Sequence, residues 1–242
     1  LVPHLAHLST APPTAPARVD GDTAEIWAPT QHPQAARAEV ARILGLKPDN
    51  VTIHVTLLGG GFGRKSKADF VSEAAFLARD VGAPVRVQWT REDDIRHGYY
   101  NAVSAQRLRA GLDDRGTVTA WHHRTAFTPI ASTFDPTADE PDAGALQQGV
   151  LDLALAVPNV RAESCKATSH ARIGWYRSVY NIFHAFAVGS FIDELAVARK
   201  VDPRDLWLEL IGPARTMSLA DLGIEKLSNY GHPLAEHPVD AG

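Results

Sequence analysis

The run Gly59-Gly60-Gly61-Phe62-Gly63-Arg64 stands between an alternating β-branched stretch, VTIHVTLL, and an amphipathic one. Chains accept the entropy cost of consecutive glycines where the backbone takes φ > 0 or lies close against a ligand. A glycine turn between a strand and a helix also leaves N–H groups that attract anions. Two phosphate-binding patterns fail here. A Walker A loop needs Gly-Lys-Ser/Thr, and Arg64 intervenes before Lys65-Ser66. A dinucleotide fingerprint needs a glycine where Arg64 stands, three places after Gly61. Taken alone, the spacing fits a ligand-facing loop and a plain tight turn equally well.

Other polar groupings carry less. His4 and His7 form an HxxH on a proline-rich stretch rather than a helix, with no third metal ligand placed by the sequence. His122 and His123 are adjacent on a strand pattern and must point to opposite faces, one of them solvated. His184 falls among Phe183 and Phe186 and reads as a satisfied core histidine; with Ser178 it makes no nucleophilic triad. Glu92-Asp93-Asp94 opens a helix pattern, where acids favour the dipole rather than act as an acid/base pair. Of the five tryptophans, Trp27, Trp89, Trp121 and Trp207 read as core, and Trp175 sits in a motif considered below.

The elements that must position these residues are legible. Residues 1–16 carry little periodicity and read as extended loop; residues 23–27 read as a strand. Ala36, Val40, Ile43 and Leu44 predict a helix over 34–44 with Gly45 as its C-cap. A strand over 51–58, the glycine run, a helix over 68–81 with Phe70, Ala74, Leu77 and Val81 on one face, and a strand over 84–89 follow the order of a βαβ unit. Thr90 and Asp93 resemble a capping pair. Residues 104–112 and 117–126 flank Asp113-Asp114-Arg115-Gly116 as a hairpin, 128–145 read as a long loop, and 159–169 as a strand. The strongest helix covers 178–201 with Phe183, Phe186, Phe191, Leu195 and Val197 mostly inward. Asp202-Pro203 starts a last helix through 210, and a short helical patch over 219–227 follows. The pattern predicts an α+β fold of mixed sheets with packed helices, divided into an extended segment (1–16), one main domain (17–212) and a connecting segment (213–242).

The chain has 242 residues, 45% hydrophobic and 21% charged, close to ordinary globular composition, so disorder is not expected. Its net charge is −4 with scattered basic residues, which argues against a nucleic-acid reader. The longest apolar run, 185–191, is interrupted by Gly189 and Ser190 and falls short of the roughly 18–20 residues of a membrane helix. Cys165 is the only cysteine, so no internal disulfide is possible, and the count does not choose between cytoplasm and periplasm. The chain opens on Leu1 without a signal-peptide pattern, as expected of a processed chain or a piece of a longer one.

The block VTIHVTLLGGGFGRKSKADFVSEAAFLARDVGAPVRVQWTREDDIRHGYY resembles the molybdenum-binding subunit of the xanthine dehydrogenase and aldehyde oxidase family, nearest the isoquinoline 1-oxidoreductase β-subunit branch. VPHLAH, EIWAPTQ, RLRAGLDDRGTVTAWHHR, RIGWYRSVYNIFHAF and SFIDELA match other pieces in the family's order, so the resemblance covers most of the chain. The glycine motif alone is weakly specific; the ordered set is strongly so.

That resemblance implies a molybdopterin, in its cytosine dinucleotide form, shared with a partner chain and inserting water-derived oxygen into an aldehyde or N-heterocycle. It implies iron–sulfur clusters on a separate subunit. Gly60, Gly61, Phe62, Gly63 and Arg64 match the cofactor-side loop. Arg177, in GWYRS, matches an arginine at the substrate end, where a guanidinium would stabilise developing negative charge. The family's catalytic glutamate, in a Gly-x-Gly-Glu type motif, has no counterpart here. A companion chain carrying that half is therefore expected, and this chain alone is expected to be inactive. Ala11 and Tyr180 stand where the family often has glutamate and glycine, and Ser66 replaces the glutamate of the xanthine-oxidising relatives, which argues against a purine substrate. Two alternatives fit the same residues: the first chain of a processed two-chain hydrolase on this fold, or an inactive domain fragment.

Overall fold

The alternation Ala24, Ile26, Ala28 buries one side of strand β2 (Thr23–Ala28), and the next element, helix α1 (Pro33–Leu44), lays Ala36, Val40 and Ala41 over that side. Gly45 ends α1 at φ 70, and strand β3 (Val51–Val55) returns parallel to β2, completing a contiguous βαβ unit. Strand β1 (Thr14–Asp20) pairs antiparallel with β2 on one side and with β4 (Val85–Gln88) on the other. The sheet order is β3-β2-β1-β4, so β3 and β4 are parallel but lie at opposite edges. Helix α2 (Asp69–Val81), which joins them, packs over β1, β4 and β2 and beside α1. The computed structural model describes residues 1–218, 220 and 236–239, the side chains of 236–238 excepted. The chain divides into two units, and this sheet with its helices belongs to the unit formed by His4–Asn101 and Ala171–Arg177.

The other unit comprises Leu1–Pro3, Ala102–His170 and Ser178–Gly242. Strands β5 (Ser104–Leu112) and β6 (Val118–Phe127) form the expected hairpin, its turn closed by Asp113 Oδ1 accepting from the amides of Arg115 and Thr117. Strand β7 (Asn159–Cys165) runs parallel to β6, giving the order β5-β6-β7. A single turn, α4 (Ala143–Leu146), interrupts the connection. Helices α5 (Asn181–Arg199) and α6 (Pro203–Ile211) cover one face around Trp121, Val188, Ile192, Leu206 and Leu210. Strands β8 (Arg215–Ser218) and β9 (Glu236–Val239) pair antiparallel. The helical patch expected over 219–227 lies outside the described residues, residue 220 apart.

Mixed sheets with packed helices are thus the observed α+β architecture, with local differences, among them that the strand expected over 159–169 ends at Cys165 and the helix expected over 178–201 spans Asn181–Arg199. Residues 14–16, read as loop, belong to β1. Pro16 is tolerated there because the ladder to β2 begins only at Ala17. β3 stops at Val55 rather than 58, because its partner β2 ends at Ala28 before Pro29. On α2 the buried face is Phe70, Val71, Ala74, Ala75 and Ala78, while Leu77 and Val81 are exposed. On α5, Phe183 and Leu195 point inward as expected, but Phe186 and Val197 are exposed. On α2 the buried stripe runs largely through alanines, which carry little hydrophobic signal, whereas on α5 it runs through Phe183, His184, Val188, Ile192 and Leu195. Counted over its whole length rather than by uninterrupted run, α5 is long and apolar enough to cross a membrane, whereas here Phe183, Val188 and Ile192 lie in the core.

Candidate functional site

Parallel strands deliver their carboxyl ends to one edge of a sheet, where open α/β sheets place their ligands. Here that edge collects the exit of β2 (Pro29-Thr30-Gln31), the exit of β3 into the glycine run, and the exit of β4 into Trp89 and Thr90. β1, being antiparallel, enters at the same edge, and the Ala11 amide donates to the Gly59 carbonyl at 3.0 Å.

The glycine run is tied on every side. Arg64 N donates to Gly61 O at 2.8 Å and the Gln31 amide N to Lys65 O at 2.9 Å. The fully buried Lys65 ammonium donates to Leu58 O at 2.5 Å, closing the loop at its base. Gly63 N donates to Gln31 Oε1 at 3.0 Å. Backbone geometry explains the glycines. Gly60 and Gly63 have φ of 83 and 97, and a Cβ at Gly61 would lie 2.2 Å from Gln31 Oε1. Phe62 is held at φ 53, a region costing a non-glycine residue about 1 kcal/mol or more, and the residue is 42% exposed. The amides of Gly60, Gly61 and Phe62 find no hydrogen-bond partner among the described residues. Gly61 is nevertheless buried, so an unpaired donor lies inside the loop.

The second motif meets the first directly. Tyr100 and Ile173 form a parallel bridge, and Gly174 N donates to Tyr100 O at 3.0 Å. This turns Trp175 back so that its carbonyl would lie 2.2 Å from a Cβ on Gly63. His7 Nε2 bonds the same carbonyl at 2.5 Å and its ring packs on Tyr176 at 4.8 Å. The HxxH is therefore a clasp: His7 secures GWYR, while His4 Nδ1 bonds Asn101 O at 2.7 Å. Burial lowers the His7 pKa, keeping the ring neutral. Arg177 ends the segment exposed, with no ion pair or hydrogen bond among the described residues.

Arg64 lies beneath the loop rather than in it. It is 1% exposed and bidentate to Asp69 at 2.9 and 2.8 Å, with its guanidinium near the rings of Trp89 and Tyr99 at 5.2 and 5.5 Å. Asp94 approaches its Nε at 3.8 Å and pairs with Arg91 at 2.7 Å, while Thr90 and Asp93 complete the expected capping box of α3 (Arg91–His97). Lys67 sits 4.9 Å from the centroids of both Tyr99 and Trp175, and desolvation pulls its ammonium down to about 8. The residue missed from sequence is Gln31. Its Oε1 is committed to Gly63, which leaves the Nε2 donors exposed above the loop. The signal lay in EIWAPTQ, but only the pairing of β2 with β3 gives it a purpose.

Residues 2–209 match the molybdopterin cofactor-binding domain. The chain belongs to that family. It is 30% identical to the beta subunit of isoquinoline 1-oxidoreductase from Brevundimonas diminuta over 77% of this chain and 24% of that protein. It is 28% identical to a nicotinate dehydrogenase subunit of Pseudomonas putida over 96% of this chain and 20% of that protein. The crystal structure of quinoline 2-oxidoreductase from Pseudomonas putida 86 shares the fold, with a TM-score of 0.69 and 20% identity over 87% of this chain and 27% of that one. The chain thus spans about a quarter or less of the length of these relatives.

Proposed function

We propose that the chain is the first cofactor-contacting portion of a molybdenum hydroxylase that oxidises an aldehyde or N-heterocycle with oxygen from water. The observation that best supports this is the row of unpartnered amides at Gly60, Gly61 and Phe62, in a loop held open by glycines and fixed from below. Three unpartnered N–H groups on successive residues fit an oxygen-rich anionic group such as the molybdenum cofactor. The bound cofactor supplies the redox and oxygen-insertion chemistry.

The protein's own contribution is to bind, orient and stabilise. The amides of Gly60, Gly61 and Phe62 donate to the cofactor's oxygens, and Gly63 holds Gln31 so that its Nε2 adds a further donor. Arg64, with its guanidinium committed to Asp69, acts by anchoring the loop. Arg177, exposed and unpaired, stabilises negative charge on the substrate. The cofactor is taken in its cytosine dinucleotide form, a companion chain brings the catalytic glutamate, and a separate subunit carries the iron–sulfur clusters.

The test is co-purification with the polypeptide that completes the subunit, followed by molybdenum and pterin analysis. Equal amounts of both are expected, and Gly61→Ala is expected to lower both together while circular dichroism stays unchanged. A complete complex lacking molybdenum and pterin would sink the proposal.

A further inference from the structure

The sheet β5-β6-β7 has two faces of opposite character. Ser104, Gln106, Leu108 and Ala110 of β5, with Trp121, His123 and Thr125 of β6, turn inward. The register sets Arg107, Arg124 and Glu163 in one row of the other face, and Arg109, His122 and Arg161 in the next. Successive rows on one face are about 6.8 Å apart and neighbouring strands about 4.8 Å. Four arginines and a histidine thus share a small patch with one carboxylate, in a chain whose net charge is −4.

Glu163 cannot neutralise this patch. Its two oxygens already serve Arg124 at 2.5 Å, Arg161 at 2.6 Å and His122 at 3.1 Å. Arg107 and Arg109 are exposed and have no ion pair or hydrogen bond among the described residues. Beside them lies a shallow depression of about 480 Å³, lined by Arg109, Gly111, Ala120, His122, Asn159 and Arg161. Gly111 and Ala120 leave its floor low, so a side chain from outside can descend between the guanidinium groups. β7 is also an edge strand: among the described residues nothing pairs with its outer side.

We propose that this face docks an acidic polypeptide segment, its carboxylates meeting Arg107 and Arg109 across β5 and Arg161 on β7. The spread over two rows and three strands favours several carboxylates carried on one chain over a single small anion. Alternate side chains of an extended peptide are spaced about 6.8 Å apart, matching the rows.

A fluorescent peptide of alternating glutamate and serine, titrated against the 242-residue chain at low ionic strength, tests this by anisotropy. Saturable binding that weakens with salt is expected. The double substitution Arg107→Glu and Arg109→Glu is expected to weaken it by roughly tenfold or more, through like-charge repulsion. Arg37→Glu with Arg96→Glu makes the same change in net charge elsewhere and is expected to leave most of the binding intact. Arg107→Ala with Arg109→Ala gives an intermediate loss without introducing repulsion. Thermal melts confirm that each variant is folded. Absence of binding by the unaltered chain would overturn the proposal, as would equal losses in the two glutamate pairs. Displacement of the peptide by inorganic phosphate at matched charge would also overturn it, in favour of a small-anion site.

Discussion

Replacing Gly63 with alanine tests the contact that joins the two motifs. The residue has φ 97, and the new Cβ would lie 2.2 Å from the Trp175 carbonyl oxygen and 2.6 Å from its carbon. Left-handed backbone costs an L-residue about 1–2 kcal/mol. The clash is with backbone rather than a flexible side-chain end, and overpacking of this kind costs about 1–3 kcal/mol more. Together these predict a destabilisation of about 3 kcal/mol. Gly82 supplies the control: it has φ 68 in the same unit, but its Cβ would meet nothing within 4 Å. Gly82→Ala is therefore expected to cost only the backbone part, about 1 kcal/mol. Alanine restricts the unfolded chain equally at both sites, so that effect cancels in the comparison. Urea denaturation measures both through the shift in midpoint at constant slope. Equal midpoints for the two variants would show that the Trp175 carbonyl does not lie against Gly63, and would remove the structural link between the glycine loop and GWYR.

Asp69→Ala leaves the buried Arg64 guanidinium without its bidentate partner and is expected to cost about 3 kcal/mol, measured by the same denaturation. Arg177→Met is expected to change stability by less than about 0.5 kcal/mol, because the side chain is exposed and unpaired. In the completed enzyme it should lower kcat/KM markedly, and unchanged turnover would remove Arg177 from the proposed site. Burial pulls His123 and His184 from 6.5 to about 4, so both are neutral in the folded protein at pH 7. The unfolded chain takes up those protons first. Stability is therefore full above pH 6.5 and is lost as pH falls from there through about 4. A melting series across that window, flattened in His184→Gln, checks the sign; stability rising on acidification would contradict it.

Local chemistry was legible wherever backbone and side chain answer to the same few residues. Gly45 ends α1, Thr90 and Asp93 box the start of α3, Asp202 and Pro203 open α6, and Asp113 closes the hairpin, all as their residue types require. The buried faces of α2 and α5 were less legible. On α2, alanine packs as closely as a helix–sheet contact demands but scores weakly in any periodic pattern, so the larger Leu77 and Val81 drew attention although they face outward. α5 is apolar nearly all round, so Phe186 and Val197 could not be told by type from the buried Phe183, Val188 and Ile192.

The same division holds at the site. By itself the sequence determined that a glycine loop follows a strand, that Arg64 and Arg177 accompany it in two motifs, and that these motifs belong to one family. Only the tertiary structure decided that Arg64 is an anchor held by Asp69, that His7 clasps Trp175, and that Gln31 lies over Gly61 and Gly63. The reason is physical. A turn or cap is closed by neighbours a few residues away, whereas the free amides of Gly60 to Phe62 are defined by which distant groups arrive and which do not. The parallel pairing of β2 with β3 and the return of Trp175 against Gly63 settle that, and neither is encoded in any short stretch of the chain.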